Sequence, residues 1–194
     1  MYITCLDVEG VLVPEIWIAF AKASNIPELK KTTRDEPDYD KLMKWRLGIL
    51  KEHGLGLKEI QETIAKIDPL PGAKEFLDEL RTFSQVILIS DTFTQFATPL
   101  MEKLGWPTLF CNTLEVAEDG EITGFKMRVE QSKLSTVKAL QSIGFDTIAS
   151  GDSYNDLGMI QASKAGFYSE VPIRLKQTIH RSRHMKHMMN CKCD

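Results

Sequence analysis

The sequence has no apolar run that approaches the roughly 20 residues a membrane-spanning helix needs. Its first residues show no basic region and no small-residue cleavage site, so we expect no secretory signal. Only four cysteines are present, and without a secretory signal a disulfide framework is not expected. We therefore predict a cytoplasmic protein in which Cys5 and Cys111 are small buried side chains.

An excess of basic charge is also lacking. The net charge of -3 at pH 7 gives no support for a nucleic acid or a membrane surface as partner. There are no internal repeats and no low-complexity segments. With 194 residues, 43% of them hydrophobic, the chain can bury one sizeable core and one small subdomain.

The stretch Ile3–Val13 organises the rest of the chain. A short apolar run ends in Asp7, Glu9 follows two residues later, and Gly10 introduces a second apolar run. Such a run predicts a buried strand, and two carboxylates at its end lie where open α/β sheets bind ligands. Like charges this close favour a cation or a shared proton between them. Solvated acids at a capped strand end are the alternative.

The remaining chain divides into three parts. Residues 15–68 show helical periodicity and no clear strand. From Pro69 onward helices and strands alternate, which predicts a parallel sheet covered by helices. We therefore expect an α/β, Rossmann-like core formed by residues 1–14 and 69–170, with 15–68 inserted as a helical cap. Residues 171–194 form an atypical basic tail, for which a solvated terminus is favoured over a metal site.

Local signals predict several element boundaries. Pro14 suits the first turn of a helix, Asp38 a helix N-cap, and Ser132 another N-cap. The segment 107–111 reads as a short strand, and Asp119-Gly120 as the turn of a following hairpin.

Polar residues recur at three predicted strand ends. Besides the first strand, they are Ser90-Asp91-Thr92 and the run Gly151-Asp152-Ser153-Tyr154-Asn155-Asp156. In a parallel sheet all three ends converge on one crevice. Carboxylates in such a crevice suit Mg²⁺. Helix capping is the alternative for Asp152 and Asp156, but it explains the whole run less well. Lys133, predicted in the first turn of a helix, opposes the helix dipole unless an anion lies nearby; a solvated lysine is the alternative.

These segments resemble the four motifs of the haloacid dehalogenase-like phosphatases, in both order and spacing, over residues 1–168. Within that superfamily the chain is similar to the phosphoserine phosphatases. It is more similar still to a subgroup described as bifunctional phosphoserine phosphatases and homoserine phosphotransferases. The subgroup shares the segments matching Asp7–Trp17, Ser90–Phe93 and Gly151–Asp156.

The resemblance implies a role for each matching residue. Asp7 would be the nucleophile that forms an aspartyl-phosphate, and Glu9 the proton donor and acceptor. Mg²⁺ would be held by the Asp7 carboxylate, the Glu9 carbonyl and Asp152, with Asp156 acting through a water molecule or behind these ligands. The phosphoryl oxygens would be bound by Ser90, Lys133 and Asn155.

The substrate phosphoserine carries an ammonium and a carboxylate besides its phosphate. The resemblance places Glu15 at the ammonium and Arg46 at the carboxylate. Independently, Arg46 lies on the same helix face as apolar residues, so its side chain is expected to point inward. Arginine can bind a carboxylate through two parallel hydrogen bonds. The alternatives are an arginine stem lying on apolar surface for Arg46 and a first-turn acid for Glu15.

Two departures from the wider family concern the same site. Glu9 replaces the usual aspartate, and Asp91 and Thr92 replace two glycines; both departures are shared with the bifunctional subgroup. Three functions therefore remain open: hydrolysis of phosphoserine, transfer of its phosphoryl group to homoserine, and, less favoured, a receiver-type domain phosphorylated on aspartate. We expect a monomer or a homodimer.

Overall fold

The computed structural model describes residues 1–33 and 35–168. Six strands form one sheet: β1 (Tyr2–Leu6), β2 (Gln85–Phe93), β3 (Thr108–Val116), β4 (Ile122–Lys126), β5 (Asp146–Gly151) and β6 (Ala165–Tyr168). The described residues also form seven α-helices: α1 (Ile16–Ala23), α2 (Tyr39–Glu52), α3 (Leu57–Ile64), α4 (Ala73–Arg81), α5 (Thr94–Lys103), α6 (Ser132–Ser142) and α7 (Leu157–Ala162). Short 3₁₀ helices span Pro27–Lys30 and Tyr154–Asp156. None of the described helices is long and apolar enough to cross a membrane.

The sheet has the strand order β4-β3-β2-β1-β5-β6. All neighbours pair in parallel except β3 and β4, which form an antiparallel hairpin. β1 is central, between β2 and β5, and the carboxyl ends of these three strands open onto one edge of the sheet. The predicted α/β, Rossmann-like architecture is confirmed.

Side chains of the central strand alternate between two hydrophobic clusters. Ile3 and Cys5 belong to a cluster that includes Val137 of α6 and Met159 of α7. Leu6 belongs to the larger cluster, which includes Leu77 of α4. Because both faces of the sheet are covered, β1 reads as a near-continuous apolar run. Cys5 and Cys111 are buried free thiols, as predicted.

Four α-helices of the described chain lie between β1 and β2 in sequence, and we call the first three, α1, α2 and α3, the helical insertion. They share the larger hydrophobic cluster with the sheet. The backbone N–H of Leu57 donates to the Gly120 carbonyl, 2.9 Å away, on the β3–β4 turn. Where the chain returns to the sheet, the Leu70 N–H donates to the Leu12 carbonyl, also at 2.9 Å. The insertion is therefore held against the carboxyl ends of the strands.

Several predicted boundaries need correction. The strand predicted at 107–111 continues to Val116, because its second half pairs with β4 rather than starting a separate strand. Ser132 does not cap α6: Gln131 precedes the helix with φ 47°, and the Ser132 hydroxyl accepts from Arg128 instead. α1 begins at Ile16, two residues after Pro14. Asp38 caps α2 as predicted, by accepting from the Lys41 N–H. The basic tail lies outside the described residues.

Candidate active site

Asp7 follows β1 directly, and its N–H donates to the Ser150 carbonyl of β5 at 2.9 Å. The ladder thus extends one residue beyond the strand and fixes the direction of the side chain, and the residue is 5% exposed. Gly10 closes the turn after Asp7 with φ +74°. A Cβ at this position would lie 1.9 Å from Asp152 Oδ2, so glycine is required both by the backbone conformation and by the space that Asp152 occupies.

Three carboxylates meet at this edge of the sheet. One oxygen each of Asp7, Asp152 and Asp156 can be chosen so that all three lie within 4.8 Å of one another. Asp152 follows β5, and Asp156 is fixed by accepting from the N–H groups of Asp152 at 3.0 Å and Ser153 at 2.9 Å. Burial raises the pKa of Asp152 to about 6, and the Asp156 carboxylate adds to the rise. A set of clustered, partly desolvated carboxylates fits a hard divalent cation with oxygen ligands.

Lys133 of α6 reaches into the same cluster. Its Nζ lies 2.9 Å from Asp7 Oδ2 and 2.6 Å from Asp156 Oδ1. Burial by itself would lower the pKa of the Lys133 ammonium, but the carboxylates of Asp7, Asp156 and Asp91 raise it. Lys133 therefore stays charged at neutral pH. Burial holds the pKa of Asp7 well above its usual range, and Lys133 partly offsets that effect.

Glu9 lies two residues after Asp7 and is half-buried. Its Oε2 accepts from the N–H of Ile16 at 2.9 Å, which aims the carboxylate at the start of α1. Burial raises the pKa of Glu9 to about 7, and the nearby Glu15 carboxylate adds to the rise. A carboxyl with this pKa can both donate and accept a proton at neutral pH.

Ser90, Asp91 and Thr92 form an irregular segment within β2, where the register with β3 shifts. Ser90 is 2% exposed, and its Oγ accepts from the Thr92 N–H at 3.2 Å. The Asp91 carbonyl accepts from the Tyr39 hydroxyl and from Asn112 Nδ2, both at 3.0 Å. The bulge therefore directs these side chains out of the regular ladder, as bulges near active sites commonly do.

The Asp91 carboxylate faces the run that follows β5. Its Oδ2 accepts from Asn155 Nδ2 at 2.7 Å. The Ser153 hydroxyl contacts both Asn155 Oδ1 and Asp156 Oδ2. A continuous set of polar contacts therefore connects Asp91, through Asn155 and Ser153, with Asp156, which binds Lys133.

Arg46 extends from α2 toward the site and is 5% exposed. Its guanidinium carbon lies 4.4 Å from the centre of the Trp17 ring, and Nη2 donates to the Lys31 carbonyl at 2.7 Å. Arg46 Nε has no hydrogen-bond partner within the described part of the chain. Burial lowers the pKa of Arg46 to about 10, with the Tyr39, Glu9 and Glu15 groups opposing that shift, so it remains a cation at neutral pH.

Glu15 stands immediately before α1 and is exposed. Its carboxylate is close enough to raise the pKa of Glu9 and of Asp152. The structure thus brings Glu15 and Arg46 close to the Glu9 carboxylate. Asp152 and Asp156 cluster with Asp7, and Lys133 contacts Asp7 and Asp156.

Four further residues shape the site and were not singled out from the sequence for that role: Trp17, Tyr39, Asn112 and Arg128. For Trp17 and Tyr39, the sequence alone indicates only that they belong to apolar helix faces. Asn112 did carry a signal, since asparagine is disfavoured in the middle of a strand.

Comparison with known proteins gives the family. The model of the haloacid dehalogenase-like hydrolases matches residues 5–164. The chain belongs to the haloacid dehalogenase-like hydrolases. It is 53% identical over 172 residues to a Pseudomonas aeruginosa protein named phosphoserine phosphatase ThrH, covering 89% of this chain and 84% of that relative. A Pseudomonas syringae pv. tomato phosphoserine phosphatase is 51% identical over 88% of this chain and 72% of its own length.

Solved structures show the same fold. A substrate-bound phosphoserine phosphatase complex matches with a TM-score of 0.72 and 24% identity, covering 90% of this chain and 89% of that one. A phospho-aspartyl intermediate analogue of phosphoserine phosphatase matches with a TM-score of 0.69 and 24% identity, covering 84% of each chain.

Proposed function

We propose that this protein is a magnesium-dependent phosphoserine phosphatase, which hydrolyses O-phospho-L-serine to L-serine and phosphate through an aspartyl-phosphate on Asp7. The observation that carries the proposal is the contact of Lys133 with both Asp7 and Asp156 beside Asp152. A buried carboxylate next to a fixed ammonium is oriented and ready to act as a nucleophile. The names of the two Pseudomonas relatives support the choice of substrate.

The residues that would hold Mg²⁺ are Asp7, Asp152 and the Glu9 carbonyl, with Asp156 behind them. When bound, the ion reduces the repulsion between the nucleophilic carboxylate and the phosphate dianion. Ser90, Lys133 and Asn155 bind the phosphoryl oxygens. The family assignment excludes the receiver-type domain.

The reaction proceeds in two displacements. An Asp7 carboxylate oxygen attacks phosphorus, the bond between phosphorus and the serine oxygen breaks, and that oxygen takes the proton of Glu9. Glu9 then removes a proton from a water molecule, whose oxygen attacks phosphorus. The bond from phosphorus to Asp7 breaks, and phosphate leaves. A carboxyl with a pKa of about 7 suits both proton transfers.

Arg46 supports a phosphate ester of an amino acid as substrate. Its guanidinium is buried, charged and held by Trp17 and Lys31, yet Nε is left without a partner. A buried N–H without a partner is costly, so a ligand oxygen at this place is favourable. The substrate carboxylate would accept from Arg46, and Glu15 would receive the ammonium. Asp91 and Thr92 line the same pocket, and residues 15–68 act as a cap that excludes water.

A second candidate is transfer of the phosphoryl group from Asp7 to homoserine. It is favoured by Glu9, whose extra methylene reaches further than aspartate, and by Asp91 and Thr92 in place of glycine. Homoserine would replace water as the group deprotonated by Glu9.

The deciding experiment incubates the protein with phosphoserine and Mg²⁺, with and without homoserine, and quantifies free phosphate and O-phosphohomoserine separately. Free phosphate in both reactions is expected for the phosphatase. Absence of phosphate release and of transfer would overturn the proposal, and absence of O-phosphohomoserine alone would remove the transferase.

A further inference from the structure

Asn112 is an uncharged polar residue in the middle of β3, and it is fully buried. Both ends of its side-chain amide are bonded to backbone groups of distant segments. Nδ2 donates to the Asp91 carbonyl at 3.0 Å, and Oδ1 accepts from the N–H of Arg128 at 3.0 Å. The amide therefore connects the strand β2 with the loop that leads into α6.

The first of these bonds replaces part of the β2–β3 ladder. Ile89 is paired with Phe110, and the next pair is Phe93 with Asn112. Three residues of β2 thus stand opposite one residue of β3, and the Asp91 carbonyl has no place in the regular ladder. Asn112 Nδ2 supplies the partner from within the sheet. Without it, a partly buried carbonyl would lose one of its two donors.

The second bond extends to α6. Arg128, whose N–H is fixed by Asn112, donates through its guanidinium to Ser132 Oγ at 2.9 Å and to Thr136 Oγ1 at 2.5 Å. These hydroxyls lie on the first two turns of α6, and the residue after Ser132 is Lys133. The position of Lys133 is therefore connected to Asn112 through Arg128.

We propose that Asn112 is a positioning residue for the phosphoryl site: its amide fixes the Ser90–Thr92 segment relative to Lys133. The inference rests on the proposed function, because it concerns the two segments that bind the phosphoryl oxygens there. An error of about 1 Å in such a site can cost on the order of a hundredfold in rate. Since Ser90 and Lys133 both bind the phosphoryl oxygens in that proposal, Asn112 acts on every phosphomonoester.

The test compares two substitutions with a neighbouring control. Asn112→Leu has a similar size and removes both hydrogen bonds. Asn112→Asp keeps an acceptor for the Arg128 N–H, but as a carboxylate it has no donor for the Asp91 carbonyl. Thr113→Ala, on the next, exposed residue of β3, is the control. For each protein kcat and KM are measured with phosphoserine and with p-nitrophenyl phosphate, together with the Kd for inorganic phosphate in Mg²⁺, all normalised to the folded fraction.

For both Asn112 substitutions we expect kcat to fall about tenfold or more on both esters, and the phosphate Kd to rise. The ratio of the two KM values should stay within about twofold of that of the unmodified protein. A lower Tm with unchanged kcat and Kd per folded molecule would overturn the proposal, because it would make Asn112 a packing residue only.

Arg128→Ala provides a second route if the buried substitutions do not fold. Arg128 is exposed, so its truncation is expected to be tolerated, while α6 loses its connection to Asn112. A severalfold loss of kcat on both esters is expected, and unchanged kcat and phosphate Kd would contradict the connection to Lys133. If the unmodified protein hydrolyses neither ester, the proposed function fails, yet the phosphate Kd still decides the role of Asn112.

Discussion

The side-chain amide of Asn155 donates a 2.7 Å hydrogen bond to the carboxylate of Asp91. The Asp91 carboxylate therefore places a negative charge beside the proposed phosphoryl site. We expect Asp91→Asn, which keeps an oxygen acceptor but removes the charge, to lower the Ki of inorganic phosphate about threefold by relieving repulsion between anions.

Inhibition by phosphate at low and at high salt checks this effect, which should weaken as salt screens the charges. Ser90→Ala, which would remove one of the proposed phosphoryl contacts, is the matched control and should raise the Ki. A rise for Asp91→Asn would mean that the carboxylate itself contributes to binding.

Asp7→Asn should abolish phosphate release from phosphoserine, lowering kcat by about three orders of magnitude or more, because an amide is a poor nucleophile. The fold should persist, since an amide of the same shape replaces a carboxylate whose charge is unfavourable when buried. Phosphate release and circular dichroism provide the two measurements. Near-normal turnover would show that Asp7 is not the nucleophile.

Arg46→Ala should raise KM for phosphoserine about tenfold or more, while KM for p-nitrophenyl phosphate, which has no carboxylate, changes by less than about twofold. Trp17→Leu should also raise KM selectively for phosphoserine, but by a smaller factor, because the indole supports the guanidinium from one side. Steady-state kinetics on the two esters measure the difference. Equal changes on both esters would assign Arg46 a structural role.

Mg²⁺ should stabilise the protein more strongly as the pH rises from 5 to 7.5. The folded-state pKa of Asp152 is raised from 3.8 to about 6. A raised carboxyl pKa means that the metal-free folded state binds more protons than the unfolded state, so its stability falls as the pH rises through this range. The cation removes that penalty by pairing with the ionised Asp152 carboxylate.

Thermal unfolding with EDTA and with Mg²⁺ across this pH range measures the effect. The difference in Tm between the two conditions should grow with pH, and Asp152→Asn should reduce it. A difference that is independent of pH would contradict the role of this carboxylate.

The sequence was sufficient for the architecture and for the groups at strand ends. Asp7 and Asp152 could be located because parallel strands bring their carboxyl ends to one edge, and acids at such ends stand out. Lys133 could be singled out because a lysine in the first turn of a helix opposes the helix dipole unless an anion lies nearby. Asn112 and Trp17 could not be assigned, since their contacts join residues far apart in the chain. The full length of β3 could not be predicted either, because its second half depends on pairing with β4. A lone serine such as Ser132 also suggests a helix cap from the sequence, even though its hydroxyl accepts from Arg128, four residues earlier.

The hydrogen bond between Leu70 N–H and the Leu12 carbonyl has a consequence for how this chain can vary. This bond holds the two ends of the helical insertion close together. Relative to the sheet, the inserted helices are therefore equivalent to a loop whose ends are already joined. Lengthening such a loop costs little, about 0.6 kcal/mol for each doubling. Substrate range can therefore diversify by exchange of the inserted helices, while the sheet and its carboxylates stay unchanged.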